Sequence, residues 1–175
     1  RASLETLRAR ALAAWAAGVD GIEMFNHTDP TSPLWRELGD PALLRTLPKI
    51  YFASVQGASN SRGYYPAGAH FRLPKLTPDA PASLAAGESR TYEFFIGDDL
   101  RSAVNLHARL TLRVASTAGA APRVQWGNAP LASVATDARA WSVPLDSSRV
   151  SPGLHRVTVT AATALRLDDL VVHIE

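Results

Sequence analysis

The chain has 175 residues, 46% hydrophobic and 19% charged, which is enough apolar material for a buried core and too little charge for a disordered chain. Lysine and arginine number 18 against 16 acidic residues, and a formal balance of +2 excludes the broad basic face that phosphate backbones need, so nucleic acid is not an expected partner. Cysteine is absent, which removes disulfides and thiolate sites together, and no apolar run approaches the ~20 residues of a membrane helix, so no membrane partner is expected.

The chain opens at Arg1 inside a helical pattern, without initiator Met or signal peptide, and is expected to be a fragment. Ser3 is placed to cap a helix whose apolar positions Leu4, Leu7, Ala11, Ala14 and Trp15 recur at helical spacing, and Gly18 stands where a left-handed cap would end it. Val19 to Asn26, short and largely apolar, reads as a strand buried on both faces. Ser32 and Pro33 then start a second helix with Leu34, Trp35 and Leu38 as its apolar stripe. Gly39-Asp40-Pro41 interrupts it, and Pro41 to Leu47 makes another short helix. Helix, strand, helix is an α/β order, and because one strand makes no sheet, most of that domain is expected to precede Arg1.

Residues 51–69 read as a connector, with Gly57 to Gly63 as a loop and Tyr64 and Tyr65 available to pin it. From about His70 the period becomes two. Phe71 to Leu73 is a candidate first strand; Tyr92, Phe94 and Ile96 share one face of the next, and Leu110, Leu112 and Val114 alternate with Arg109, Thr111 and Arg113. Val124 with Trp126, Leu131 with Val134, Trp141 with Val143 and Leu145, Val157 with Val159, and Leu170 with Val172 and Ile174 supply the rest, and Ser151-Pro152-Gly153 is a turn. Seven or eight short strands without a helix predict an antiparallel β-sandwich.

The run Ala13 to Asn26, then Ser32 to Pro41, then Leu47 to Tyr51 resembles the last helix–strand–helix stretch of bacterial glycoside hydrolase-like (β/α)8 barrels. Gly87-Glu88-Ser89, Gly97-Asp98-Asp99 and the tail Leu170 to Glu175 resemble the jelly-roll-like β-sandwich that follows such barrels. In that sandwich Gly127-Asn128 reverses the Asn-Gly order of related modules, and His155 stands where they carry Asn. The resemblance implies a multidomain fragment: 1–50 as the C-terminal piece of a (β/α)8 barrel, 51–69 as connector and 70–175 as accessory β-sandwich. It further implies a secreted or periplasmic glycoside hydrolase whose carbohydrate cleft is shared with an N-terminal barrel in the same chain. The alternative is a non-catalytic carbohydrate-binding or purely structural sandwich.

In a barrel, the end of the strand opens into the active-site mouth. Alternation puts Glu23 and Phe25 on one side, toward the interior, and Ile22 and Met24 on the other, against the helices. Glu23, Phe25, Asn26 and His27 are therefore the candidate substrate-binding residues, offering a ring and polar groups as sugars require. Against these stand a buried, ion-paired Glu23, a structural turn at Asn26 and a loop-filling His27. Glycoside hydrolysis sets two carboxylates across the scissile bond, whereas Glu23 and Asp29 come from one unit, so no catalytic residue is expected here and the fragment is expected to be inactive alone.

His27, His70, His107, His155 and His173 lack paired metal-ligand spacing, and Asp98-Asp99 and Asp168-Asp169 read as turn carboxylates in preference to calcium ligands. With no G-x-S-x-G elbow and no glycine-rich phosphate loop, neither metal nor cofactor is expected. Trp126 and Trp141 read as core side chains before sugar platforms.

Overall fold

A computed structural model describes residues 3–24, 27–53, 76, 78, 81–101 and 105–175, so Phe71 to Leu73 and the loop Gly57 to Gly63 with Tyr64 and Tyr65 lie outside the described residues. Helix α1 spans Leu4–Ala16. Its Ser3 cap accepts from the Thr6 amide at 3.3 Å, and Gly18 takes the left-handed turn beyond its end, at φ +89°. Two one-turn helices follow, α2 at Leu34–Glu37 and α3 at Pro41–Leu44, the latter capped by the Asp40 carboxylate on the amides of Ala42 and Leu43. Among the described residues no helix is long and apolar enough to cross a membrane.

Two segments of this region differ from the local pattern. Val19 to Met24 pairs with no strand among the described residues and bends at Asp20, and Val19, Asp20, Gly21 and Glu23 are exposed. A strand is defined by a neighbour that takes its N–H and C=O groups, and no described neighbour lies alongside. Trp35 does not join the apolar stripe of α2. Leu34 and Leu38, one turn apart, point inward at 2% and 5% exposure, leaving the adjacent Trp35 half outside.

The sandwich begins earlier than its periodicity. Strand β1, Lys49–Phe52, spans the joint between the expected barrel piece and connector. It is followed by β2 (Ala82–Leu84), β3 (Ser89–Ile96), β4 (Ala108–Val114), β5 (Arg123–Trp126), β6 (Ala129–Leu131), β7 (Val134–Asp137), β8 (Ala140–Leu145), β9 (Gly153–Thr160) and β10 (Leu165–Ile174). One sheet runs β1-β10-β4-β8-β7, with β2 also on β10; the other runs β3-β9-β5-β6, and every pairing is antiparallel. Leu131 and Val134, expected in one strand, belong to different sheets, and Val134 is exposed. A short 3₁₀ turn at Ser147–Arg149 is the helical element between β8 and β9.

The alternating faces meet as read. Tyr92, Phe94, Ile96, Val124, Trp126, Val157 and Val159 from one sheet pack on Leu110, Leu112, Val114, Trp141, Val143, Leu145, Leu170, Val172 and Ile174 from the other. A bulge between Leu167 and Asp169 shifts the register of β10, so that Leu167 also turns inward, three residues from Leu170.

Helix α1 is buried on two sides. Ala9 joins the sandwich core, while Ala11 and Leu12 pack with Leu34, Leu38 and Leu44 beneath the short helices. The helix backbone comes so close to the loop after β3 that a Cβ on Gly97 would lie 2.4 Å from the Leu12 carbonyl carbon. Gly97→Ala is therefore expected to cost about 1–3 kcal/mol in urea unfolding. Gly119→Ala, whose Cβ would meet only the movable Thr163 hydroxyl, is expected to stay within about 0.5 kcal/mol.

Candidate functional site

Segment 19–24 keeps the predicted alternation in burial although it is not paired. Ile22 and Met24 pack against the cluster of Leu12, Leu34, Leu38 and Leu44, and Glu23 points the other way into solvent. Within this chain Glu23 is exposed and forms no ion pair with the described residues. Phe25 and Asn26 lie outside the described residues. His27 is half-buried; its Nε2 is enclosed without a hydrogen-bond partner among the described residues, and its ring leans on Trp35 with centroids 5.1 Å apart.

The loop beyond is built by Asp29. Its Oδ1 accepts from the Thr31 amide at 2.9 Å and the Thr31 hydroxyl at 2.7 Å, bonds that hold its carboxyl below the usual range, and its backbone oxygen accepts from the Trp35 indole N–H at 2.7 Å. Behind the loop, Arg8 grips Glu37 with two parallel bonds, Nε to Oε2 at 2.7 Å and Nη2 to Oε1 at 2.9 Å, which fixes α2 on α1. The Trp15 indole adds a bond to the Leu38 oxygen at 2.8 Å.

A second polar centre is fully buried. Lys49 Nζ lies 3.2 Å from Asp98 Oδ1, with side-chain exposures of 0% and 2%, and donates also to the backbone oxygens of Leu44 and Leu47. Tyr51 donates to Asp98 Oδ2 at 2.7 Å and accepts from the Gly97 amide at 3.2 Å. Burial pushes the Asp98 carboxyl up and the Lys49 ammonium down, each countered by the other's charge, and burial raises the Tyr51 hydroxyl well above its ordinary value. Three acceptors engage the three N–H groups of the ammonium, the form that has no lone pair, so the arrangement suits a structural cation and not a nucleophile.

Asp98 is thereby corrected from a turn carboxylate to a core ion. The signal for it was faint: Lys49 and Tyr51 sit two apart on one face of an otherwise apolar Lys-Ile-Tyr-Phe run. Of the other pair members, Asp99 holds Arg101 and Asp168 holds Arg166, while Asp169 is buried and its Oδ1 accepts from the Leu170 amide at 2.9 Å; Asp168 and Asp169 lie within β10 and not in a turn. Among the described residues no group of three His, Asp or Glu side chains could hold a metal. Trp126 and Trp141 are buried in the core, and His155 covers Trp126 at 4.9 Å while its Nε2 lies 2.6 Å from the Ser151 oxygen.

No protein-family model and no curated protein matches this chain. Solved structures do. BuGH86, a family 86 glycoside hydrolase crystallised with neoagarooctaose as the wild type and as a variant, superposes with a TM-score of 0.48 at 11% identity, covering 73% of this chain and 18% of that one. BpGH86A, a β-porphyranase of the same family from the human gut bacterium Bacteroides plebeius, gives 0.46 at 14% identity, over 73% of this chain and 20% of that one. The chain thus spans about a fifth of the length of these neighbours.

Two outcomes follow from the geometry. Asp98→Asn leaves a buried ammonium without its counter-charge and is expected to cost about 3–5 kcal/mol in urea unfolding, whereas Lys49→Met with Asp98→Asn, which removes both charges and keeps an acceptor for Tyr51, should recover part of that loss. Glu23→Ala, at an exposed position, should change the unfolding free energy by no more than about 0.5 kcal/mol.

Proposed function

We propose that this chain is the C-terminal part of a glycoside hydrolase, in which the residues before β1 are the last strand–helix unit of a (β/α)8 barrel and the sandwich buttresses the barrel flank. One observation carries the reading. Segment 19–24 packs the half-buried Ile22 and Met24 against the helical cluster and leaves Glu23 between them exposed, the alternation of a barrel strand seen without its neighbours.

In this reading Glu23, Phe25, Asn26 and His27 lie at the strand's C-terminal end and contact carbohydrate. The acid and the base or nucleophile come from upstream strands, because such carboxylates must flank the sugar from different directions. Burial of Trp126 and Trp141 favours a structural part for the sandwich over a sugar-binding one.

The gene upstream of Arg1 tests this directly. It is expected to encode seven further strand–helix units with Asp or Glu at strand ends, and an upstream region without them would overturn the proposal. The purified 175-residue chain should hydrolyse neither a panel of aryl glycosides nor cello-oligosaccharides, xylo-oligosaccharides or neoagarooctaose above the rate of its Glu23→Ala variant.

A further inference from the structure

Trp35 is 51% exposed, yet it is held in place. Its indole N–H is committed to the Asp29 oxygen at 2.7 Å, and the His27 ring braces it at a tilt of 59°. The one polar atom of the ring is consumed, so what Trp35 presents outward is a fixed apolar π-surface. The residue that holds the indole through its backbone oxygen also carries a carboxylate, whose Oδ1 is held by Thr31, while Oδ2 accepts no hydrogen bond among the described residues. A ring and a carboxylate each restrained by hydrogen bonds are preorganised, because less side-chain freedom is left to lose when something settles on them.

We propose that Trp35 and Asp29 form a subsite for one pyranose ring of a neutral glycan. The C–H face of the sugar lies on the indole and a hydroxyl donates to Asp29 Oδ2. Sulfated or carboxylated sugars are disfavoured, since they would bring a second negative charge to an acceptor that is already anionic. The subsite rests on the reading of residues 19–24 as a strand that opens on a carbohydrate cleft. It adds to that cleft a platform outside the strand itself.

The test is an NMR titration of the ¹⁵N-labelled 175-residue chain with the neutral oligosaccharides of the panel above and with a sulfated galacto-oligosaccharide. Trp35→Phe assigns the Trp35 indole resonance by its loss. At least one neutral oligosaccharide should shift that resonance while those of Trp126 and Trp141 stay in place. Trp35→Ala should weaken the binding about tenfold, and Trp35→Phe by less, with the amide spectrum of the sandwich unchanged. Asp29→Asn should narrow the gap between neutral and sulfated ligands.

Unaltered binding by Trp35→Ala, or no shift of the Trp35 indole with any neutral oligosaccharide, would overturn the subsite. Acrylamide quenching of the longer gene product separates this failure from that of the functional reading. A Trp35 shielded there without sugar would remove the subsite and leave the barrel standing. An upstream gene without barrel units removes the barrel reading, and the titration still decides the subsite.

Discussion

The buried contact between Lys49 and Asp98 is the constraint on which the arrangement of layers depends. Lys49 belongs to an edge strand of the six-stranded sheet, Asp98 follows β3 of the opposite sheet, and the two backbone oxygens that Lys49 also engages belong to Leu44 at the end of α3 and to Leu47 in the turn after it. A single ammonium thus fastens both sheets and the helical layer. Charges so deeply buried add little net stability against an apolar substitute, but each becomes very costly without the other. The pair therefore selects one mutual placement of three layers more than it deepens the energy well.

That placement is refined by neighbours in sequence. Gly97, adjacent to Asp98, lets the Leu12 backbone approach, and its amide donates to Tyr51, so two consecutive residues fix both the α1 contact and the β1 contact. On the far side of α1, the Arg8–Glu37 fork and the Trp15 bond position α2, and α2 in turn positions Trp35 over the loop of His27 and Asp29. The candidate site is held by a chain of short polar contacts running back to the sandwich.

Much of this is legible in the sequence where the signal is local. Ser3 and Gly18 bound α1, and the alternation through Tyr92, Phe94 and Ile96 or Leu110, Leu112 and Val114 identifies strands, because capping and pleating act over a few residues. Residues whose state is set by distant partners were not legible. Val19 to Met24 has a strand's composition and alternation, but pairing is not a property of one segment. Leu167 faces inward only because of a bulge, and β1 is a strand because β10 lies beside it. At the candidate site, Glu23 and His27 stand out in the sequence by their place in and after an apolar run, whereas Trp35 reads as core because an aromatic near a helical stripe usually is.

The sheet order also bears on the timing of folding. β10 comes last in sequence yet lies inside its sheet, with β4 along one edge and β1 and β2 sharing the other. Until it has been synthesised β1 and β2 lack their partner, and β4, which can already pair with β8, keeps its other edge open. The helical layer can form locally long before, but its anchoring strand closes only across most of the chain's length, a contact with a high entropic threshold. A ribosome paused before Leu165 would hold a chain with three open strand edges, the state in which this fold is most exposed to aggregation.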